Sequence, residues 1–187
     1  MTILYGGAFN PPTIAHQKII HYLVDHYPED QLILLPASSS YRNEIISFEH
    51  RKNMLKLLVG LLKHPIEISD YEAKQSQFRG TIETLIYFDH PLFVIGSDQL
   101  LAINRWISFP RVVEDNRFLV FPRSGIDGDD YLMNHPILCH YRDHFEIVTD
   151  FVSIEASSSA YRDDHELNMI PVDVEDYINK HHLYEVK

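Results

Sequence analysis

Six short runs of large apolar and β-branched residues, separated by stretches of helical periodicity or polar chain, constrain this fold more than any other feature of the sequence. They are Ile3-Leu4-Tyr5, Leu32-Ile33-Leu34-Leu35, Ile66-Glu67-Ile68, Leu92-Phe93-Val94-Ile95, Phe118-Leu119-Val120-Phe121 and Phe145-Glu146-Ile147-Val148. Most are continuous rather than alternating, as expected of strands buried on both faces. Between them, Ile19, Ile20, Leu23 and Val24 repeat at helical spacing, as do Met54, Leu55, Leu58 and Leu62 behind a candidate N-cap at Ser47. Strand alternating with helix predicts an α/β fold, a mostly parallel, doubly wound sheet with helices on both faces. A last helical pattern spans Val174 to Lys180, inside a C-terminal helical segment of about residues 157–187. No repeat, low-complexity tract or linker interrupts the chain, so residues 1–187 are expected to form a single domain. The hydrophobic share of 45% is enough for a sizeable core and too high for a disordered chain.

Charge narrows the partners. With 16 Lys and Arg against 27 Asp and Glu, the formal net charge is −11. That balance argues against sequence-independent binding to nucleic acid or an anionic membrane, so a phosphate ligand must be held by local geometry. Cys139 is the only cysteine, which leaves no intrachain disulfide and favours a reducing cytoplasm. The first residues lack a basic leader pattern, and the longest strongly apolar run, Leu57 to Leu62, is far short of the roughly 20 residues that cross a bilayer. Cys139, His140 and His144 include an i, i+4 pair but bring no further ligand at zinc-site spacing, so no protein metal site is expected. Two polar stretches, Ser38 to Glu44 and Ser124 to Asp130, read as loops. The first follows Pro36 at a strand end, where ligand-facing loops of open α/β sheets sit.

The segment richest in chemistry links the first strand to the first helix: Gly6-Gly7-Ala8-Phe9-Asn10-Pro11-Pro12-Thr13-Ile14-Ala15-His16. Paired glycines let backbone approach a ligand, and paired prolines stiffen the entry to the helix. Thr13 and His16 share one face at the helix start, where unpaired N–H groups and the helix dipole favour anions. A second segment, Ser157-Ser158-Ser159-Ala160-Tyr161-Arg162, offers hydroxyls that cap a helix or meet phosphate, and a guanidinium suited to a bidentate grip on phosphoryl oxygens. Gly96-Ser97-Asp98 follows the fourth apolar run, and by position Asp98 reads as the N-cap of the next helix. Trp106, the only tryptophan, reads either as core or as a stacking platform. Thr81-Ile82-Glu83-Thr84-Leu85 reads at the least as a helix start.

Together these segments resemble the T/H-x-G-H nucleotidyltransferase superfamily, and the Phe9-Asn10-Pro11-Pro12 lead-in resembles, more narrowly, the nicotinate mononucleotide adenylyltransferases. Ser157 to Arg162 is similar to that family's Ser-Ser-Thr-x-Ile-Arg motif, and Thr81 to Leu85 to its Thr-x-x-Thr-Leu element. The resemblance implies a Rossmann-like sheet of order 3-2-1-4-5. It implies adenylyl transfer from ATP to nicotinate mononucleotide, with Mg²⁺ bound chiefly by ATP. His16, Thr13 and Arg162 would be catalytic. Gly6, Gly7, Ala8, Phe9, His16, Ser157, Ser158, Ser159, Arg162, Gly96 and Asp98 would meet ATP. Asn10, Arg42, Thr81, Thr84, Trp106, Ile107 and Arg123 would meet the acceptor, with Trp106 stacking on the pyridine ring. Another acceptor, nicotinamide mononucleotide or phosphopantetheine, stays open, as do a degenerate nucleotide-binding protein and a homo-oligomer.

The sequence departs from the family pattern at four places. Ala15 stands where the family has Gly, which predicts a methyl crowding the triphosphate path. Tyr41-Arg42 replaces a His-Lys pair, Ser159 replaces Thr, and Gly80 stands where an aromatic residue precedes the first threonine.

Overall fold

The computed structural model describes residues 1–38, 45–164 and 168–185. In chain order the elements that matter are β1 (Thr2–Gly7), α1 (Ile14–His26), β2 (Gln31–Pro36), α2 (Phe48–Val59), β3 (Ile66–Ile68), α3 (Thr81–Tyr87), β4 (Leu92–Gly96), α4 (Ser97–Leu100), α5 (Arg111–Glu114), β5 (Arg117–Phe121), α6 (Gly128–Asn134), β6 (Phe145–Ile147), α7 (Ser158–Asp164) and α8 (Val172–Lys180). Each of the six apolar runs forms a strand. The sheet they build has the order β3-β2-β1-β4-β5-β6, and every pairing is parallel. The expected order is therefore present, with a sixth strand added beyond β5.

Period-two alternation within these apolar strands divides the core. Ile3 and Tyr5 of β1, Leu32 and Leu34 of β2, Leu92 and Val94 of β4, and Leu119 and Phe121 of β5 face one side. There they meet Ile20 and Leu23 of α1, Met54, Leu55 and Leu58 of α2, and Val174 and Ile178 of α8. The intervening residues Leu4, Ile33, Leu35, Phe93, Ile95, Phe118 and Val120 face the other side, against Ile82 and Leu85 of α3, Leu100 of α4, Val112 and Val113 of α5, and Leu132 of α6. Ser47 caps α2 as expected, its Oγ accepting from His50 N at 3.4 Å. Leu62, read into that helix, lies past its end at Val59.

β1 pairs with β2 on one side and β4 on the other, so the connections leave it in opposite directions. A crevice opens at such a switch point, outside the carboxyl ends of the strands. The Gly6–His16 segment leaves β1 at this end, Gly96-Ser97-Asp98 leaves β4 beside it, and Arg123 follows β5. Among the described residues, no helix is long and apolar enough to cross a membrane.

Candidate active site

The loop after β1 is shaped mainly by its own aromatic ring. Phe9 is completely buried, edge-on to Tyr5 at 5.5 Å between ring centroids and tilted against His16 at 5.0 Å. A side chain at Gly7 would meet the Phe9 ring, and one at Gly6 would meet Phe93. The paired glycines thus make room for protein rings, not only for a ligand, and Phe9 has only its backbone to offer ATP. Asn10 is also buried: Oδ1 accepts from Ile46 N at 3.3 Å and from the Tyr184 hydroxyl at 2.9 Å. Its side chain braces the loop where acceptor contact was expected.

Thr13 is the N-cap of α1 and forms a capping box with His16. Thr13 N donates to His16 Nδ1 at 2.9 Å, and the Thr13 hydroxyl lies 2.8 Å from the same nitrogen. An Nδ1 that accepts an amide proton carries none, so the neutral ring holds its proton on Nε2. Burial, with the Arg123 cation nearby, pushes the His16 pKa down to about 3. His16 is therefore a neutral N–H donor. Thr13 is fully buried and holds that imidazole, its hydroxyl turned to His16.

The helix start is less open to anions than its sequence predicts. Ile14 N donates to Met169 O at 2.9 Å and His16 N to Thr13 Oγ1 at 3.4 Å. Among the described residues, that leaves the Ala15 amide as the donor without a protein partner in the first turn. The Ala15 methyl packs against the core, so it is the amide that is left for a ligand.

The second segment folds onto the first. Ser157 caps α7, its Oγ accepting from Ala160 N at 3.0 Å. Ser158 Oγ donates to Pro11 O at 2.7 Å, and Arg162 Nη1 donates to Asn10 O at 2.5 Å. Arg162 Nη2 also reaches Ser159 Oγ at 3.3 Å. From below, buried Arg51 holds the same loop, donating from Nη1 to Ala8 O at 2.9 Å and from Nε to Ile46 O at 3.1 Å. On the β4 side, α4 begins at Ser97 with Gly96 as its cap residue and no side-chain cap. Asp98 is therefore not the N-cap; its Oδ1 is buried without a partner, and its Oδ2 is 3.9 Å from Arg123 Nε. Ser97 Oγ fastens this corner to β5, accepting from Arg123 N and donating to Arg123 O, both at 2.9 Å.

Over residues 4–164 the chain matches the model of the cytidylyltransferase-like family. A protein of Acholeplasma laidlawii described as a probable nicotinate-nucleotide adenylyltransferase is 31% identical to it over 191 residues, which cover 99% of this chain and 98% of that protein. The chain belongs to the cytidylyltransferase-like family, in its nicotinate-nucleotide adenylyltransferase branch. A Clostridium tetani protein of the same description is 26% identical, with 97% of each chain covered. Among solved structures, the nicotinic acid mononucleotide adenylyltransferase of Plasmodium falciparum complexed with NaAD shares the fold, with a TM-score of 0.77 at 22% identity over 98% of this chain and 96% of that one.

On the far side of the crevice this nucleotidyltransferase carries its candidate acceptor residues. Thr81 opens α3 and is half-buried; Thr84 is buried. Trp106 is half-buried beside Phe93 and Phe118, each 6.4 Å away between ring centroids, while its neighbour Ile107 is 50% exposed. Arg42 lies outside the described residues. Gly80 has a positive φ of 96°, and a Cβ there would stand 2.7 Å from Ile107 Cβ. That backbone conformation and Ile107 together require the glycine. Gly80→Ala is accordingly expected to destabilise the fold by about 1–3 kcal/mol, read as a lower denaturant midpoint at unchanged m-value. An unchanged midpoint would show that the α3 start relaxes freely.

Sequence reasoning missed three residues that organise the site. Arg51 and Tyr184 have no chemical role in the sequence reading, yet both fasten the loop after β1. Glu72 gave no signal at all in its polar surroundings.

Proposed function

We propose that the protein transfers the adenylyl group of ATP to the 5′-phosphate of nicotinate mononucleotide and releases pyrophosphate. The observation that carries this reading is the junction of Ser158 and Arg162 with Pro11 and Asn10, which joins two segments about 150 residues apart beside His16. The family membership and the names of the relatives support the same reaction and acceptor.

The attacking group is a phosphate, already anionic near neutral pH, so the chain need not supply a base or a nucleophile. Its task is to position the reactants and stabilise charge at the α-phosphorus. The His16 Nε2–H donates to phosphoryl oxygens, the Ala15 amide adds a backbone donor, and Arg162 and the serines hold the leaving pyrophosphate. Among the described residues no three His, Cys, Asp or Glu side chains gather to hold a metal ion. Asp98, having a buried oxygen without a partner, is the carboxylate that would hold a Mg²⁺ ion carried by ATP, and the ion would supply neutralisation of phosphate charge. The compartment proposed for this reaction is the cytoplasm, where the single Cys139 would stay reduced.

The test offers ATP and Mg²⁺ with nicotinate mononucleotide, nicotinamide mononucleotide or phosphopantetheine, and measures pyrophosphate and dinucleotide. Turnover is expected with nicotinate mononucleotide; turnover with phosphopantetheine alone would show the acceptor to be wrong. Trp106→Ala is expected to raise KM for the pyridine nucleotide on the order of tenfold, the worth of a base stacked on an aromatic ring, with KM for ATP nearly constant. Equal rises in both would make Trp106 a core residue only.

A further inference from the structure

We propose that Glu72 is a positioning residue for the acceptor nucleotide, its carboxylate tying α3 and its threonines to the end of β2. This rests on the adenylyltransferase reading above. Glu72 sits on a single helical turn, Glu72–Lys74, after β3. Its Oε2 accepts from Ser38 N at 3.2 Å, and its Oε1 accepts from Thr84 Oγ1 at 3.4 Å. One side chain thereby joins two walls of a small cleft that Ser38, Tyr71, Glu72, Gly80 and Thr84 line. The tie adds to the core packing of Ile82 and Leu85, because α3 is seven residues long and has no side-chain cap. Helices that short are marginal without tertiary anchors.

The electrostatics agree with this geometry. Burial raises the Glu72 pKa above its ordinary value of 4.5, while the Ser38 amide, the Thr84 hydroxyl and the Arg51 cation of α2 hold it back. Arg79 and Glu83, of opposite charge, line the same cleft, as does Tyr71. A protonated carboxyl cannot accept from both donors as well as the carboxylate does. Acid therefore loosens one wall, and binding of the acceptor weakens while ATP, gripped at the β1 loop and α7, is spared.

The experiment compares wild type with Glu72→Gln, measuring KM for nicotinate mononucleotide and for ATP from pH 5.5 to 8.5. The acceptor's own phosphate titrates near about pH 6, and the variant carries that dependence without the one from Glu72. At pH 8, Glu72→Gln is expected to raise KM for the acceptor about tenfold and to leave KM for ATP within about twofold. The wild type should show an extra acid-side rise in acceptor KM that the variant lacks. Thr84→Val supplies a second readout even if Glu72→Gln does not fold: without the hydroxyl that favours the carboxylate, the wild-type acid-side rise should move to higher pH. Equal rises in both KM values, superimposable pH profiles, or a Thr84→Val profile without that displacement would overturn the proposal. If the wild type turns over nicotinate mononucleotide and Glu72→Gln matches it, this proposal alone fails. If the wild type does not turn it over, the functional reading fails and takes this proposal with it.

Discussion

Replacement of His16 by alanine is expected to lower kcat on the order of a hundredfold or more while the affinity for ATP changes little, because the donor it removes acts most strongly on charge that grows in the transition state. The size follows from the ring's setting. Thr13 N fixes the acceptor nitrogen, so the Nε2–H is held ready without reorganisation. The depressed pKa, about 3, means that the free enzyme uses this donor in its neutral form throughout the neutral range. The profile of kcat/KM for ATP, which reports the free enzyme, should therefore show no limb near 6.5 from His16. The same shift makes a stability statement. An unfolded chain protonates this histidine near 6.5 and the native one only near 3, so its stabilising contribution is complete above the first value and is lost as pH falls toward the second. A His16→Ala variant with near-normal kcat, or a wild-type limb near 6.5 that the variant lacks, would refute the neutral-donor role.

How much of this was legible depended on whether the signal was local. Strands were readable because buried parallel strands are continuous apolar runs, and β1, β2, β4 and β5 contribute residues to both cores. Thr13 and His16 were readable as partners because they are three apart at a helix start. Which of them meets a ligand was not, since the capping box turns Thr13 inward. The roles of Arg51, Glu72 and Tyr184 rest on contacts with Ala8, Ser38 and Asn10, each far away in sequence. Gly6 and Gly7 were legible as positions that favour glycine and Gly80 only as a departure from the family pattern, because the neighbours that exclude a side chain, Phe93, Phe9 and Ile107, come from elsewhere in the chain or from the loop's own turn.

The second large effect is expected at Arg162, and it should differ in kind. Its guanidinium already spends one N–H on Asn10 O and one on Ser159 Oγ, leaving other donors of the same planar fork for phosphoryl oxygens. In the proposed reaction this one side chain, which fixes the β1 loop, also grips the leaving pyrophosphate, so its loss would touch both ground state and transition state. Arg162→Ala is expected to raise KM for ATP and lower kcat together, with kcat/KM falling on the order of a hundredfold to a thousandfold. Arg162→Lys keeps the charge but offers a single point of donation, which cannot hold Asn10 O and a phosphate at once. It should recover less than about a tenth of the lost kcat/KM. The loop contact predicts a modest fall in melting temperature for both variants, and Ser158→Ala, which frees Pro11 O, should show a fall of similar size. Steady-state kinetics beside thermal melts separate the two tasks. If Arg162→Lys restores full activity with the melting temperature still lowered, a simple positive charge suffices at the phosphates and the fork serves only the loop.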